Sequence, residues 1–187
     1  MRKLACSVLV IFAVLALPAR AEPIQVGEQA PDFFLPSTTG GNVRLSDFRG
    51  QNVVLIEFYH SDWGPRCTAN LAQRRDDFDE FAGLDIVVLA ISITNAYSQA
   101  AFAQSLGLQF PLLSDYPDGD TILAYGVEDF EGEAQRLYAR PSFFLIDKEG
   151  IIRGYWGQRP ANLDEVVAPD PLFSSGPILE LARTLSR

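Results

Sequence analysis

The chain has 187 residues, 48% hydrophobic and 21% charged, with 24 acidic against 15 basic side chains and a formal charge of −9. That is enough for one compact domain with its own core, and the acidic balance argues against nucleic acid or an anionic membrane surface as partner. One histidine and two cysteines cannot ligate a metal without several carboxylates, so no metal is expected.

Residues 1–21 read as a cleaved export signal. A basic start (Arg2, Lys3) precedes an apolar run over 8–17, and Pro18-Ala19-Arg20-Ala21 supplies an A-x-A cleavage site before Glu22. The run is shorter than the roughly 20 residues that span a bilayer, which disfavours a membrane anchor. Cys6 precedes the apolar run, which disfavours a lipoprotein. Cleavage takes Arg2, Lys3 and Arg20 and leaves twelve basic against twenty-four acidic residues, a formal charge of −12, in a periplasmic or secreted domain over 22–187. It also takes Cys6. Cys67 is then alone in a compartment where paired cysteines are oxidised, so it is either buried and inert or reactive.

Residues 22–32 are a polar lead-in. The continuous apolar run 53–59 reads as a buried strand, and 67–81 as a helix with Leu71, Phe78 and Phe81 at helical spacing. A second buried strand over 84–93 and an Ala- and Gln-rich helix over 97–106 follow. A short strand over 110–113 leads to an acidic turn at 115–120 and a short helix over 121–125. Strands 142–146 and 151–155 flank Asp147-Lys148-Glu149-Gly150 as an antiparallel hairpin, and a last helix starts near Gly176-Pro177. The order βαβα, hairpin, helix implies an α/β thioredoxin-like fold, a central mixed β-sheet with helices on both faces.

Cys67 stands at the first turn of the helix that follows strand 53–59. Unpaired helix N–H groups and the positive end of the helix dipole favour thiolate there, which makes Cys67 a candidate nucleophile.

Four stretches resemble the peroxiredoxins, the alkyl hydroperoxide reductase and thiol-specific antioxidant family, and in particular their bacterioferritin-comigratory branch: 27–33 (GEQAPDF), 45–50 (LSDFRG), 110–115 (FPLLSD) and 140–147 (RPSFFLID). The family motif is P-x-x-x-[ST]-x-x-C with a distant arginine. The resemblance places Cys67 on the peroxidatic cysteine and Arg140 on the arginine that holds the thiolate. His60 replaces the motif proline and Gly64 its hydroxyl residue. That hydroxyl hydrogen-bonds both thiolate and peroxide, and losing one such donor costs about 100- to 1,000-fold in rate. Backbone N–H groups over 64–67 can take part of its role. Trp63-Gly64-Pro65-Arg66-Cys67 also reads as a W-C-x-x-C motif without its first cysteine, with Pro141 where thioredoxins carry a cis-proline. A full dithiol cycle is excluded on that reading.

The resemblance implies a one-cysteine thiol peroxidase that needs no cofactor, acts on a hydroperoxide, is regenerated by an external thiol or redox partner protein, and is often dimeric. Its weaker rivals are a monothiol exchange or sensing protein and a non-catalytic binding scaffold. Arg140 is otherwise a surface or salt-bridging arginine, and His60 either a proton relay or hydrogen-bonded scaffolding. Tyr59 and Trp63 read as the apolar wall of the pocket, completed by Gly64, Pro65, Arg66 and Pro141. Arg66 either adds positive potential or is simply solvated. Glu57, a charge inside a buried strand, belongs near the site or at the sheet margin. The acidic runs 75–80 and 128–133 read as solvated surface.

Overall fold

The computed structural model describes residues 24–157 and 174–185, so the signal segment and its cleavage site lie outside the described residues. Five strands form the central sheet: β3 (Val53–Phe58), β4 (Ile86–Ser92), β5 (Leu112–Ser114), β8 (Ser142–Ile146) and β9 (Ile152–Gly157). They lie in the order β5-β4-β3-β8-β9. β3, β4 and β5 are parallel, whereas β8 and β9 run antiparallel to their neighbours, so the sheet is mixed as expected. Two hairpins stand outside it: β1 (Phe34–Pro36) with β2 (Asn42–Arg44), and β6 (Glu128–Glu131) with β7 (Arg136–Ala139).

β3 is covered on both faces, which is why it reads as an unbroken apolar run. Val54, Ile56 and Phe58 face one core layer, made with Phe33, Leu35, Tyr125 and Val127, to which the short helix α4 (Asp120–Ala124) contributes Ile122. Val53, Leu55 and Tyr59 face the other. There they meet α1 (Pro65–Asp76), α2 (Phe78–Gly83), α3 (Ala96–Leu106) and α5 (Ser175–Leu185) through Leu71, Phe81, Phe102 and Ile178. Each such fully buried side chain contributes about 1.5–3 kcal/mol from area removed from water.

Several boundaries differ from the sequence expectation for local reasons. The expected helix over 67–81 is two helices, because the backbone leaves helical geometry at Asp77 (φ −92°, ψ 2°). Asp77 there binds Gln73 Nε2 and the Ser175 hydroxyl of α5. Leu71, Phe78 and Phe81 still point to one side, so periodicity hides the break. β4 starts at Ile86, after Asp85 at φ 57°, and β5 starts after Pro111, which has no N–H to give a ladder. The lead-in residues are part of the fold as well. Gly27 N donates to Ile152 O and Ala30 N to Gly150 O, which covers the edge of β9.

The run 128–133 is not simply solvated. Glu128 is 4% exposed and pairs with Ala139 inside the β6–β7 hairpin, and only the tip from Asp129 onward emerges. Glu57 is not at the sheet margin. It lies on the middle strand, 1% exposed, and accepts a hydrogen bond from Nε of the equally buried Arg74 at 3.2 Å. Arg74 Nη1 also donates to the Ser175 hydroxyl, and its guanidinium lies 5.1 Å from the Phe143 ring centre. This buried chain of Glu57, Arg74, Ser175 and Asp77 ties β3, α1 and the α1–α2 junction to α5.

Candidate active site

The β3 chain ends at Phe58 opposite Ser142, the first residue of β8. That register sets loop 59–64, which leads into α1, beside Arg140-Pro141, which leads into β8. Gly64 caps α1 with no side-chain bond, and Pro65 takes the first helical position, where its missing N–H costs nothing. Cys67 is therefore in the third helical position, and no capping side chain competes for the N–H groups of the first turn. It is a free thiol, 5% exposed.

The loop is held by polar bonds that its sequence does not advertise. Tyr59 is buried, and its hydroxyl donates to Asp62 Oδ1 at 2.9 Å and accepts from Gln99 Nε2 at 3.1 Å. Ser98 Oγ donates to the other Asp62 oxygen at 2.7 Å, so the start of α3 anchors the loop. Burial raises the Asp62 carboxyl above its ordinary range, against the bonds from Ser98 and Tyr59, and burial beside Asp62 pushes the Tyr59 phenol well up. Tyr59 is thus a neutral hydrogen-bonding anchor more than an apolar wall.

Trp63 is no wall either: it is 57% exposed, at φ 63°, with its ring tilted against Phe102 at 5.0 Å. A bulky residue in the left-handed region costs about 1–3 kcal/mol and persists only where its surroundings hold it. Pro65 and Arg66 are exposed, Gly64 and Pro141 half-buried. The bond before Pro141 is not cis, so the cis-proline of the thioredoxin reading is absent.

Arg140 is 7% exposed. Its Nη2 donates to Gly126 O at 2.8 Å and its backbone N–H to Val127 O at 2.7 Å, but Nη1 is buried without a hydrogen-bond partner. A buried guanidinium N–H left unpaired is costly in a native fold. It is the strongest mark of an anion or substrate oxygen at this end of the sheet.

His60 is bound at both ring nitrogens. Nε2 lies 3.1 Å from Glu131 Oε1, Nδ1 lies 3.2 Å from Ser61 Oγ, and the ring stacks on Tyr138 at 4.2 Å and 11°. The β6–β7 hairpin thereby clamps the loop. Glu131 and Tyr138, more than seventy residues away in sequence, carry no local signal for that contact. Ser61 carries none either, because the motif places its hydroxyl three residues later.

A Cβ built on Gly64 would have Ser61 Oγ at 3.6 Å and Cys67 Sγ at 3.9 Å, so a side chain at 64 would lie in ordinary van der Waals contact with both. Two clefts open at the surface, the second against the hairpin that holds His60. One, about 460 Å³, is lined by Asp32, Asp115 and Asp120 beside α4, and one of about 310 Å³ by Glu131, Arg136 and Tyr138. Among the described residues no cluster of ligating side chains could hold a metal.

This fold, with a lone thiol at a helix start and a buried arginine at the neighbouring strand, defines a thioredoxin-fold thiol protein. Residues 26–155 match the model of the AhpC/TSA family. Peroxiredoxin Bcp of Escherichia coli is 38% identical over 133 residues, 70% of this chain and 83% of that protein. Alkyl hydroperoxide reductase E of Mycobacterium tuberculosis is 37% identical over 131 residues, with 70% and 83% covered. Peroxidoxin BcpB of Mycobacterium tuberculosis superimposes with a TM-score of 0.72 at 25% identity, over 88% of this chain and 99% of that one.

The chain belongs to the AhpC/TSA family of peroxiredoxins, in its bacterioferritin-comigratory branch. It is accordingly a thiol-dependent peroxidase acting on hydroperoxides, and the scaffold reading gives way to an enzyme.

Proposed function

We propose that the protein is an exported one-cysteine peroxiredoxin in which Cys67 is the peroxidatic residue and Arg140 holds its thiolate. The observation that carries this reading is the buried, unpaired Arg140 Nη1 in a chain whose described part holds one free cysteine at a helix start. The thiolate attacks the terminal oxygen of the hydroperoxide. The S–O bond forms as the O–O bond breaks, and the departing oxygen takes a proton to leave as water or alcohol. Sulfur gives up the two electrons that the peroxide accepts. One external thiol then condenses with the sulfenic acid, releasing water, and a second breaks the mixed disulfide and returns Cys67.

The test is the second-order rate of Cys67 oxidation by hydrogen peroxide on the mature protein, with sulfenic acid trapped and identified by mass spectrometry. A rate far above that of a small free thiol is expected, with the signal absent in Cys67→Ser. A rate equal to the free thiol would remove the peroxidase reading.

Export is supported by the basic start, apolar run and A-x-A site, and it leaves Cys67 without a resolving partner in the same chain. N-terminal sequencing of the protein recovered from the periplasmic fraction of a Gram-negative expression host is expected to begin at Glu22. Recovery of the full-length chain in the cytosol would refute export and return Cys6 as a candidate resolving thiol.

A further inference from the structure

We propose that Asp62 is the positioning residue of the site, its carboxylate tying the start of α1, and with it Cys67, to the end of the central sheet where Arg140 stands. This rests on the peroxidase reading and adds to it the group that sets its geometry. Thiol and guanidinium stand on different elements. Cys67 rides on α1, whereas Arg140 precedes β8 and is held by Gly126 O and Val127 O. Their alignment depends on how loop 59–64 delivers α1. Gly64 caps that helix with no side-chain bond, and Trp63 sits at φ 63°, a conformation that persists only where its surroundings impose it. His60 ties the loop to Glu131, whose side chain is 57% exposed, and a pair this open to solvent contributes little.

Asp62 is tied to rigid elements. Its Oδ1 accepts from the Tyr59 phenol at 2.9 Å and its Oδ2 from Ser98 Oγ of α3 at 2.7 Å. Behind the phenol stands the fully buried Gln99, whose Nε2 lies 3.1 Å from the phenol oxygen, 3.1 Å from Ser92 Oγ at the end of β4 and 2.9 Å from Leu113 O in β5. Because Gln99 donates to the phenol oxygen, the single phenol proton is left for Asp62. One carboxylate thus connects the residue before Trp63 to α3, β4 and β5. It is held by hydroxyls and by no cation among the described residues. A carboxylate without a counter-charge in the loop that carries the thiol disfavours thiolate. An electrostatic role would therefore work against the reaction, and a geometric one works for it.

The test compares two reactions of Cys67 at about pH 9.5, where a thiol ionises without help from its surroundings. Asp62→Ala is expected to slow oxidation by hydrogen peroxide about 100-fold, the loss that follows from displacing a reacting group by about 1 Å. Alkylation by iodoacetamide, which needs no alignment with Arg140, should hold its rate or rise, since the 5% exposed Cys67 is then less confined. Asp62→Asn presents an amide oxygen to the Tyr59 phenol and an N–H to Ser98 Oγ, so it keeps both bonds without the charge and should recover at least roughly tenfold of the lost peroxide rate. Tyr59→Phe, which removes one bond and keeps the buried ring, should lower the peroxide rate about tenfold with alkylation again spared.

An unchanged peroxide rate in Asp62→Ala beside a fast wild type overturns this inference alone. So does an Asp62→Asn protein as slow as Asp62→Ala, which would make the charge decisive instead of the bonds. An equal fall of both reactions in Asp62→Ala and Tyr59→Phe overturns it too, as the mark of lost folded structure. A wild type no faster than a free small thiol overturns the peroxidase reading and the inference with it.

Discussion

Arg140→Met lowers the rate of Cys67 oxidation by hydrogen peroxide about 100- to 1,000-fold while leaving the melting temperature within a few degrees of wild type. The rate falls because a fixed cation that stabilises thiolate and developing charge in a water-poor site is among the largest single contributions an enzyme makes. Stability holds because Arg140 is not a satisfied structural residue. Its Nη1 is buried and unpaired, while Nη2 donates to Gly126 O at 2.8 Å. Methionine gives up that bond but no longer buries an unpaired charge, and the two effects oppose each other. Arg140→Lys keeps the charge but not the planar fork, and is expected to recover only part of the rate. Stopped-flow oxidation and thermal unfolding of the same samples check both halves. A large loss of stability with an unaltered rate would move Arg140 from the site to the scaffold.

Glu57→Leu destabilises the domain by about 3–5 kcal/mol, and Arg74→Met added to it restores stability to wild type or above. Removing the carboxylate takes away the charge and hydrogen bond that Glu57 sets against Arg74, which is 0% exposed in a low-dielectric layer. Removing both leaves two apolar side chains among Leu71, Phe143 and Ile178. Burial raises the Glu57 carboxyl above its ordinary range, and the charge and hydrogen bond of Arg74 pull it back only in part. The folded state thus binds the Glu57 proton more tightly than the unfolded chain. Its contribution is fully present below the unfolded carboxylate value, about 4.3, and is lost as pH rises through the higher folded value. The double variant lacks this loss, so its advantage over wild type grows between about pH 4 and pH 7. Urea unfolding of the three proteins at both pH values decides it: a double variant as unstable as Glu57→Leu would show that the pair is worth more than its desolvation.

Ser175 joins this chain through both Arg74 and Asp77, so the double variant also loosens the seat of α5. That seat is a second reason for the pair. A hydrophobic layer alone sets how deep α5 sits, whereas a directed bond from Arg74 sets its register along the sheet.

Local pattern is enough for the frame of this protein. The apolar run at 53–59, the helical spacing after Cys67, the turn at Asp147-Lys148-Glu149-Gly150 and the four family-like stretches suffice for a mixed α/β sheet and for a thiol at a helix start. Periodicity reports which face of an element is buried. It does not report what stands opposite. Hence the split at Asp77 is invisible in the sequence, since the apolar residues keep phase across it, and so is the β6–β7 hairpin, whose acidic tip resembles any solvated run.

Which polar groups meet is a property of the folded chain alone. Glu57 and Arg74 are seventeen residues apart, Tyr59 and Gln99 forty, and His60 and Glu131 seventy-one. In each case the partner is chosen by strand register and helix packing, and the side chains themselves are commonplace. The same holds for the site. The sequence names Cys67 and Arg140 but reads Gly64 as a loss. Only the folded chain sets His60 between Ser61 and Glu131, because a hydrogen bond acts over about 3 Å of space whatever the separation along the chain.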